Sequence, residues 1–319
     1  MTRPAPGLAT PWLTTGTVHV RVPATSANLG PGFDALGLAL ALYDDVAVSV
    51  ASSGVAVDIV GEGADRLPRG DRHLIACTVL SGLARLGVRP SGLRISCTNR
   101  IPHARGLGSS AAAIIAGLLA ARALVADGEC RPDGECRPDG EYRQDAALLK
   151  LAAEMEGHPD NVAACLLGGL TVAWTEDGAA RAIRLQPVAS LKPVVFVPAT
   201  RATTAEVRRL LPDSVPHADA AANAGRAALL LTALTTRPDL LLPATVDWLH
   251  QPYRAPAMPE TAEFVARLRA AGVPAVVSGA GPAVLALGQG PSGLPPPPSG
   301  WSALSLPVDR VGAQVRRPD

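Results

Sequence analysis

Residues 101–113 read IPHARGLGSSAAA, and the folding of this stretch decides the architecture. It follows an alternating run at 93–98, which reads as a strand, and leads into an apolar run at 109–126, which reads as a helix. Gly106 and Gly108 let the backbone approach a ligand closely or take a positive φ. Ser109 and Ser110 stand where N-caps belong. The first N–H groups of a helix lack intrahelical partners and carry the positive end of its dipole, so phosphate is a natural guest. A plain glycine turn into a capped helix uses the same residues. A Walker A loop is excluded, because the only lysines, Lys150 and Lys192, are far away in sequence. Gly106-x-Gly108-x-x-Ala111 satisfies the loose dinucleotide fingerprint. The acid expected about 20 residues on, however, falls at Asp127, after a helix and not after a second strand.

Outward from this loop, strands are predicted at 17–22, 36–42, 45–51 and 55–60. A helix at 72–86 follows, carried by Leu74, Ile75, Val79, Leu83 and Leu86 and ended by Gly87. Beyond a second helix at 146–155, strands are predicted at 170–175, 182–188 and 194–197. Helices then fit 204–211, 218–235, 239–249 and 259–271. A strand pair at 274–278 and 283–287 and a last strand at 303–308 complete the chain. Strands in runs and helices in runs make this α+β.

Three further segments carry candidate chemistry. Residues 22–38, VPATSANLGPGFDALGL, crowd small polar residues and turn formers, with Asn28 and Asp34 able to face a ligand from a rigid loop. Residues 154–169, EMEGHPDNVAACLLGG, place Glu154 near a helix end. A carboxylate there, beside a phosphate site, suits Mg²⁺, which takes few protein oxygens. His158 reads as a hydrogen-bonded structural residue. Residues 276–284, VVSGAGPAV, form a glycine turn able to press on another loop.

The 319 residues carry a net charge of +1 with 48% hydrophobic and 18% charged residues, which excludes a disordered chain and argues against a dedicated nucleic-acid binder. No apolar run reaches the ~18 residues of a membrane span; the best candidate, 111–126, carries Arg122. Residues 1–16 lack the apolar core of a signal peptide, so a cytoplasmic protein is expected. Cys77, Cys97 and Cys165 read as core residues, and five cysteines make no disulfide framework. Residues 127–145 are a six-residue tandem repeat (DGECRP, DGECRP, DGEYRQ) and read as a surface loop. Cys130 and Cys136 within it are short of ligands for a metal. Residues 290–300, GPSGLPPPPSG, read as a polyproline-type connector.

Taken together and in this order, VPATSANLGPGFDALGLAL, IPHARGLGSSAAA, EGHPDNVAACLLGG and SGAGPAVLAL resemble the motifs of the GHMP kinase superfamily, and within it those of its homoserine-phosphorylating members. The resemblance spans roughly 17–289, with SALSLPVDRVGAQV similar to the family's closing strand. It implies a two-lobed α+β fold. A ribosomal-protein-S5-like lobe at 17–188 would hold the nucleotide, and a ferredoxin-like lobe at 189–319 would lie on the substrate side. ATP phosphates would sit on Pro102, His103, Ala104, Arg105, Gly106, Leu107, Gly108, Ser109, Ser110 and Ala111. Ser110 and Glu154 would bind Mg²⁺. Asn28, Asp34, Asn161, Arg208 and Arg254 would hold the amino-acid acceptor, with Thr204 and Arg208 in a Thr-x-x-x-Arg match. Both arginines suit a carboxylate. The implied reaction is transfer from ATP to the hydroxyl of L-homoserine by positioning and electrostatics, without a dedicated base. The expected partners are L-homoserine and ATP, with no nucleic acid and no membrane, and homodimerisation is left open. A kinase for another small alcohol, such as mevalonate or a sugar, and a non-catalytic nucleotide-binding regulator are the alternatives. The family's short loop is enlarged here by the repeat. The Pro-rich stretch stands where a helix is expected, and its loss is expected to expose one sheet face.

Overall fold

The structure, a computed structural model, describes residues 13–125, 139–202, 204–288 and 290–317, without the side chains of 139–144 and 204–205. In the first lobe, β1 (Val18–Ala27) runs antiparallel to the long β2 (Leu36–Ala51). The runs at 36–42 and 45–51, predicted as separate, are one strand, whose register slips opposite Pro23 and Ala24. A bulge there accommodates a proline that cannot donate to the ladder. The second half of β2 pairs with β4 (Gly92–Asn99), which lies parallel to β3 (Gly54–Gly61). Helix α1 (Leu74–Arg85) makes the crossover that a parallel pair requires.

Helix α2 (Ser109–Leu124) runs beneath the sheet, buried on nearly every side. Its Gly117 sits against Thr78 of α1, where a Cβ would collide, so the two helices pack closely. Helices α3 (Asp139–Glu156) and α4 (Asp160–Leu167) follow. The hairpin β5 (Leu170–Glu176) and β6 (Ala179–Leu185) joins the first half of β2.

The second lobe carries a four-stranded antiparallel sheet. Its order is β10 (Ser302–Ser305), β7 (Val194–Val197), β9 (Val284–Ala286), β8 (Ala275–Val277). Its helices are α5 (Thr204–Arg208), α6 (His217–Thr235), α7 (Leu241–Ala244), α8 (Gln251–Arg254) and α9 (Pro259–Ala270). Val195, Val197 and Leu285 share a core with Leu230 and Leu234 of α6, and Val194, Phe196 and Val284 pack on Phe264 and Leu268 of α9. β11 (Gln314–Arg316) then returns to the first sheet beside β1. No described helix is long and apolar enough to cross a membrane.

The structure corrects several expectations. The helix predicted at 239–249 breaks into a 3₁₀ turn at Pro238–Leu240, α7 and an irregular stretch. Thr245 Oγ1 bonds back to the carbonyls of Leu241 and Leu242, a local alternative to helix continuation. The repeat falls outside the described residues at 127–138, with Cys130 and Cys136, whereas 139–145, expected as loop, belong to α3. The Pro-rich segment does lack a helix, but the sheet face stays covered, because Leu294 and Trp301 pack onto the Phe264 cluster. Cys77 is exposed on α1 and is not a core residue, while Cys97 and Cys165 are buried. The C-terminus does not stay in the second lobe: 306–316 bridge Leu40 and end on β1.

Candidate active site

The four motifs converge on one cavity of about 280 Å³ between the lobes, lined among others by Asn28, Asp34, Gly108, Ser110, Asn161, Arg208 and Arg254. The glycine loop at 102–110 is shaped by positive φ at Ala104, Gly106 and Gly108. A Cβ on Gly108 would run into Thr25 Oγ1, and one on Gly106 into the Ser278 carbonyl, so both positions require glycine for contact as well as conformation. Gly108 is the N-cap of α2, and no side chain caps the helix, which leaves its first N–H groups for a ligand. The serines expected as caps lie inside the first turn.

Residues from all four motifs brace the loop. Thr25 Oγ1 donates to Asn161 Oδ1 (2.7 Å), and Thr25 N donates to the Leu107 carbonyl. Ser278, fully buried, sits 2.8 Å from Ser26 Oγ and donates to the Gly106 carbonyl at 2.6 Å. Asn28, at φ 67°, donates from Nδ2 to the Gly279 carbonyl (2.8 Å) and accepts from Asp34 N (2.9 Å). Arg105 is absent from the cavity lining and donates to the carbonyls of Pro198 and Ala199. It joins the lobes and is not free for phosphate. Pro102 and Ala111 lie outside the cavity lining, and Ala111 is buried. His103, Ser109 and Ser110 help line an adjoining, more apolar cavity of about 310 Å³ with Leu67, Pro68 and Ile75.

Glu154 is not where the sequence reading put it. Its carboxylate meets Arg85 Nη2 at 3.4 Å on the far face of α3. The carboxylate beside the loop is Glu156, whose Oε1 accepts from Ser110 Oγ at 2.6 Å. Two positions along a helix turn the side chain by about 200°, so these two glutamates point in opposite directions. Burial pushes the Glu156 carboxyl up, with the Ser110 bond opposing. Sequence reading missed it, although EMEG contains both residues. Next in the motif, His158 Nδ1 lies 2.7 Å from buried Asp160 Oδ1. Burial pulls the His158 imidazole down, but Asp160, with Glu156 and Asp34, outweighs this and raises its proton affinity overall. Ser110 Oγ and the Glu156 carboxylate together offer hard oxygen donors for a divalent cation such as Mg²⁺.

On the other side of the cavity, Arg208 forks onto Asp34, Nη2 to Oδ1 at 2.6 Å and Nη1 to Oδ2 at 3.0 Å. Arg254 is 1% exposed, and its Nε has no hydrogen-bond partner. Burial, then the nearby Arg208 charge, lowers its pKa. Both guanidinium groups rest over the Phe33 ring, at 5.5 and 5.3 Å from its centroid. Thr204 opens α5, and its side chain lies outside the described residues. Asn28, Asp34, Asn161, Arg208 and Arg254 are therefore brought together as expected, and Glu154 is not.

A cavity with a buried arginine and an Asp–Arg pair on one side and an uncapped helix N-terminus on the other fits a phosphotransferase, and the comparisons with known proteins agree. Residues 73–169 match the model of the GHMP kinases N terminal domain, and 220–293 match GHMP kinases C terminal. A homoserine kinase of Streptomyces avermitilis is 59% identical over 311 residues, covering 97% of this chain and 98% of that protein. A homoserine kinase of Clavibacter michiganensis subsp. michiganensis is 48% identical over 308 residues, 94% of each chain. The crystal structure of homoserine kinase from Cytophaga hutchinsonii has a TM-score of 0.77 at 24% identity, covering 94% of this chain and 97% of that one, and this likeness concerns the fold alone. With both of its domains matched and relatives of this identity along nearly its whole length, the chain belongs to the GHMP kinase family.

Proposed function

We propose that this chain transfers the γ-phosphoryl group of ATP to the side-chain hydroxyl of L-homoserine. The observation that carries the choice of acceptor is Arg254: a buried guanidinium with an unpartnered Nε, beside an Asp34–Arg208 ion pair. A buried N–H without an acceptor is costly, and a carboxylate supplies what is missing. An α-amino acid also brings an ammonium, for which Asp34 is the nearby anion. Asn28 and Asn161 fix the loop geometry around it.

The ATP phosphates take the open N–H groups of α2, and the adenine ring takes the adjoining apolar cavity, which shares Ser109 and Ser110. Ser110 and Glu156 would hold Mg²⁺, two oxygen donors being what this cation takes from protein at such sites. When bound, Mg²⁺ supplies neutralisation of phosphate charge. The helix terminus stabilises charge on the transferring group, and the arginine side orients the acceptor hydroxyl. Asp34 has both oxygens engaged by Arg208 and is no free base.

ADP release with L-homoserine, L-serine, L-threonine, mevalonate and a sugar tests the reading. Homoserine is the expected best acceptor, since serine and threonine place the hydroxyl nearer Cα. Arg254→Leu is expected to lower kcat/KM for homoserine by ~30-fold or more with KM for ATP little changed. A preference for mevalonate or a sugar, or full homoserine activity in the variant, refutes it.

A further inference from the structure

Behind Arg254 lies a buried group that the reaction does not itself require. His250 is fully buried and stands four residues before Arg254, on the same side of the short α8 turn. Its ring stacks on Phe33, centroids 5.1 Å apart. Nε2 is 2.9 Å from the Gly30 carbonyl, and Nδ1 is 3.2 Å from Arg254 Nη1. A carbonyl only accepts and a guanidinium only donates, so Nε2 must carry the hydrogen and Nδ1 must present its lone pair. Only one neutral tautomer satisfies both contacts. Asp247 fixes the turn from below by accepting from the backbone N–H groups of Leu249, His250 and Gln251. Burial lowers the proton affinity of the imidazole, against the pull of Asp247. Arg254 Nη1 is thus held by His250 and by the Gly279 carbonyl at 3.4 Å, while Nε is buried without a partner and the residue lines the cavity.

We propose that His250 is a positioning residue that sets the plane of the Arg254 guanidinium, so that this group, at the cavity wall, is oriented toward the acceptor's carboxylate. The inference rests on the reading of the acceptor given above. His250 touches no reacting atom, and its effect passes through Arg254.

Two substitutions separate this role from packing. Asn places a carbonyl oxygen close to the position of Nδ1, whereas Gln reaches toward Gly30 and leaves Arg254 without its acceptor. Steady-state kinetics of the full chain with ATP and L-homoserine are expected to show KM for homoserine raised ~10-fold or more in His250→Gln, with kcat and KM for ATP within ~3-fold of wild type. His250→Asn is expected to recover most of the loss. In an Arg254→Leu background, His250→Gln is expected to add less than ~2-fold, because the two residues act as one unit. A wild-type KM in His250→Gln overturns the assignment, as does equal damage from Gln and Asn, or an undiminished effect without Arg254. Loss of ATP binding in both variants does so too, since it marks a packing role. A wild-type chain inert toward homoserine defeats the acceptor reading itself, whereas an active wild type with an unaffected His250→Gln variant defeats only the role of His250.

Discussion

Glu154 and Glu156 are near-identical in sequence context and opposite in surroundings. One pairs with Arg85 at a half-exposed surface, and the other accepts from Ser110 at the mouth of the phosphate loop. Exposed ion pairs contribute little, ~1 kcal/mol or less, so Glu154→Gln is expected to leave kcat within a few-fold of wild type. Glu156→Gln keeps the volume and removes the charge, and is expected to cut kcat by ~10²-fold or more with an unchanged melting temperature. Parallel turnover measurements on the two variants check this. Equal losses, or a loss confined to Glu154→Gln, return the cation-binding role to the residue that the motif suggested first.

At the scale of elements, Asp44 ties β2 to the entry of the phosphate loop. One carboxylate oxygen accepts from both Arg100 N (2.6 Å) and Ile101 N (2.9 Å). Burial raises this carboxyl to about 6, against the lowering effect of those two N–H groups. The unfolded chain protonates it near 3.8, so the folded state binds the extra proton between the two values. Its contribution to stability is full below about 4 and is lost as pH rises through about 6. Asn keeps the acceptor without the charge. Asp44→Asn is therefore expected to match wild type near pH 4 and to be more stable above pH ~6.5, by on the order of 2 kcal/mol. Thermal unfolding of both proteins across this range checks the sign. A variant that loses stability equally at every pH shows that the charged form is the favoured one.

At the scale of the whole molecule, the two lobes are coupled through the phosphate loop and again through the C-terminus. Ser278 and Gly279 of the second lobe bond to β1 and to Gly106, so the glycine loop of the first lobe is shaped partly by the second. The returning C-terminal segment is pinned by Asp309, 4% exposed, which accepts from Tyr43 Oη and from Val311 N and Gly312 N. Burial, then the bond to Asp309, pushes the Tyr43 phenol up to about 12. Asp309→Ala leaves three donors without their acceptor and is expected to cost about 2–4 kcal/mol, read as a lower urea midpoint. Release of β11 follows, and faster hydrogen exchange at β1 would show it. A midpoint equal to wild type means the segment is held by its strand pairing alone.

What the sequence determined by itself was local or ordered along the chain. Residues 101–113 reveal the glycine loop and helix start because Gly106, Gly108 and the apolar run that follows act within a few positions of one another. The motif order assigned Asn28, Asp34, Asn161, Arg208 and Arg254 to one site, and the fold gathers them there. Tertiary structure decided matters of phase and partner. The rotation of α3 about its axis places Glu156, and not Glu154, beside Ser110, and the spacing of EMEG has no way to express that choice. The break after α7 depends on Thr245 turning onto the Leu241 carbonyl, and the apolar pattern at 239–249 is blind to this competition. The fate of 306–316 depends on a sheet edge some 290 residues earlier, at β1. His250 shows no signal at all in sequence. Its meaning comes from a guanidinium four residues on and a carbonyl 220 residues away, which only the folded chain brings to its two nitrogens.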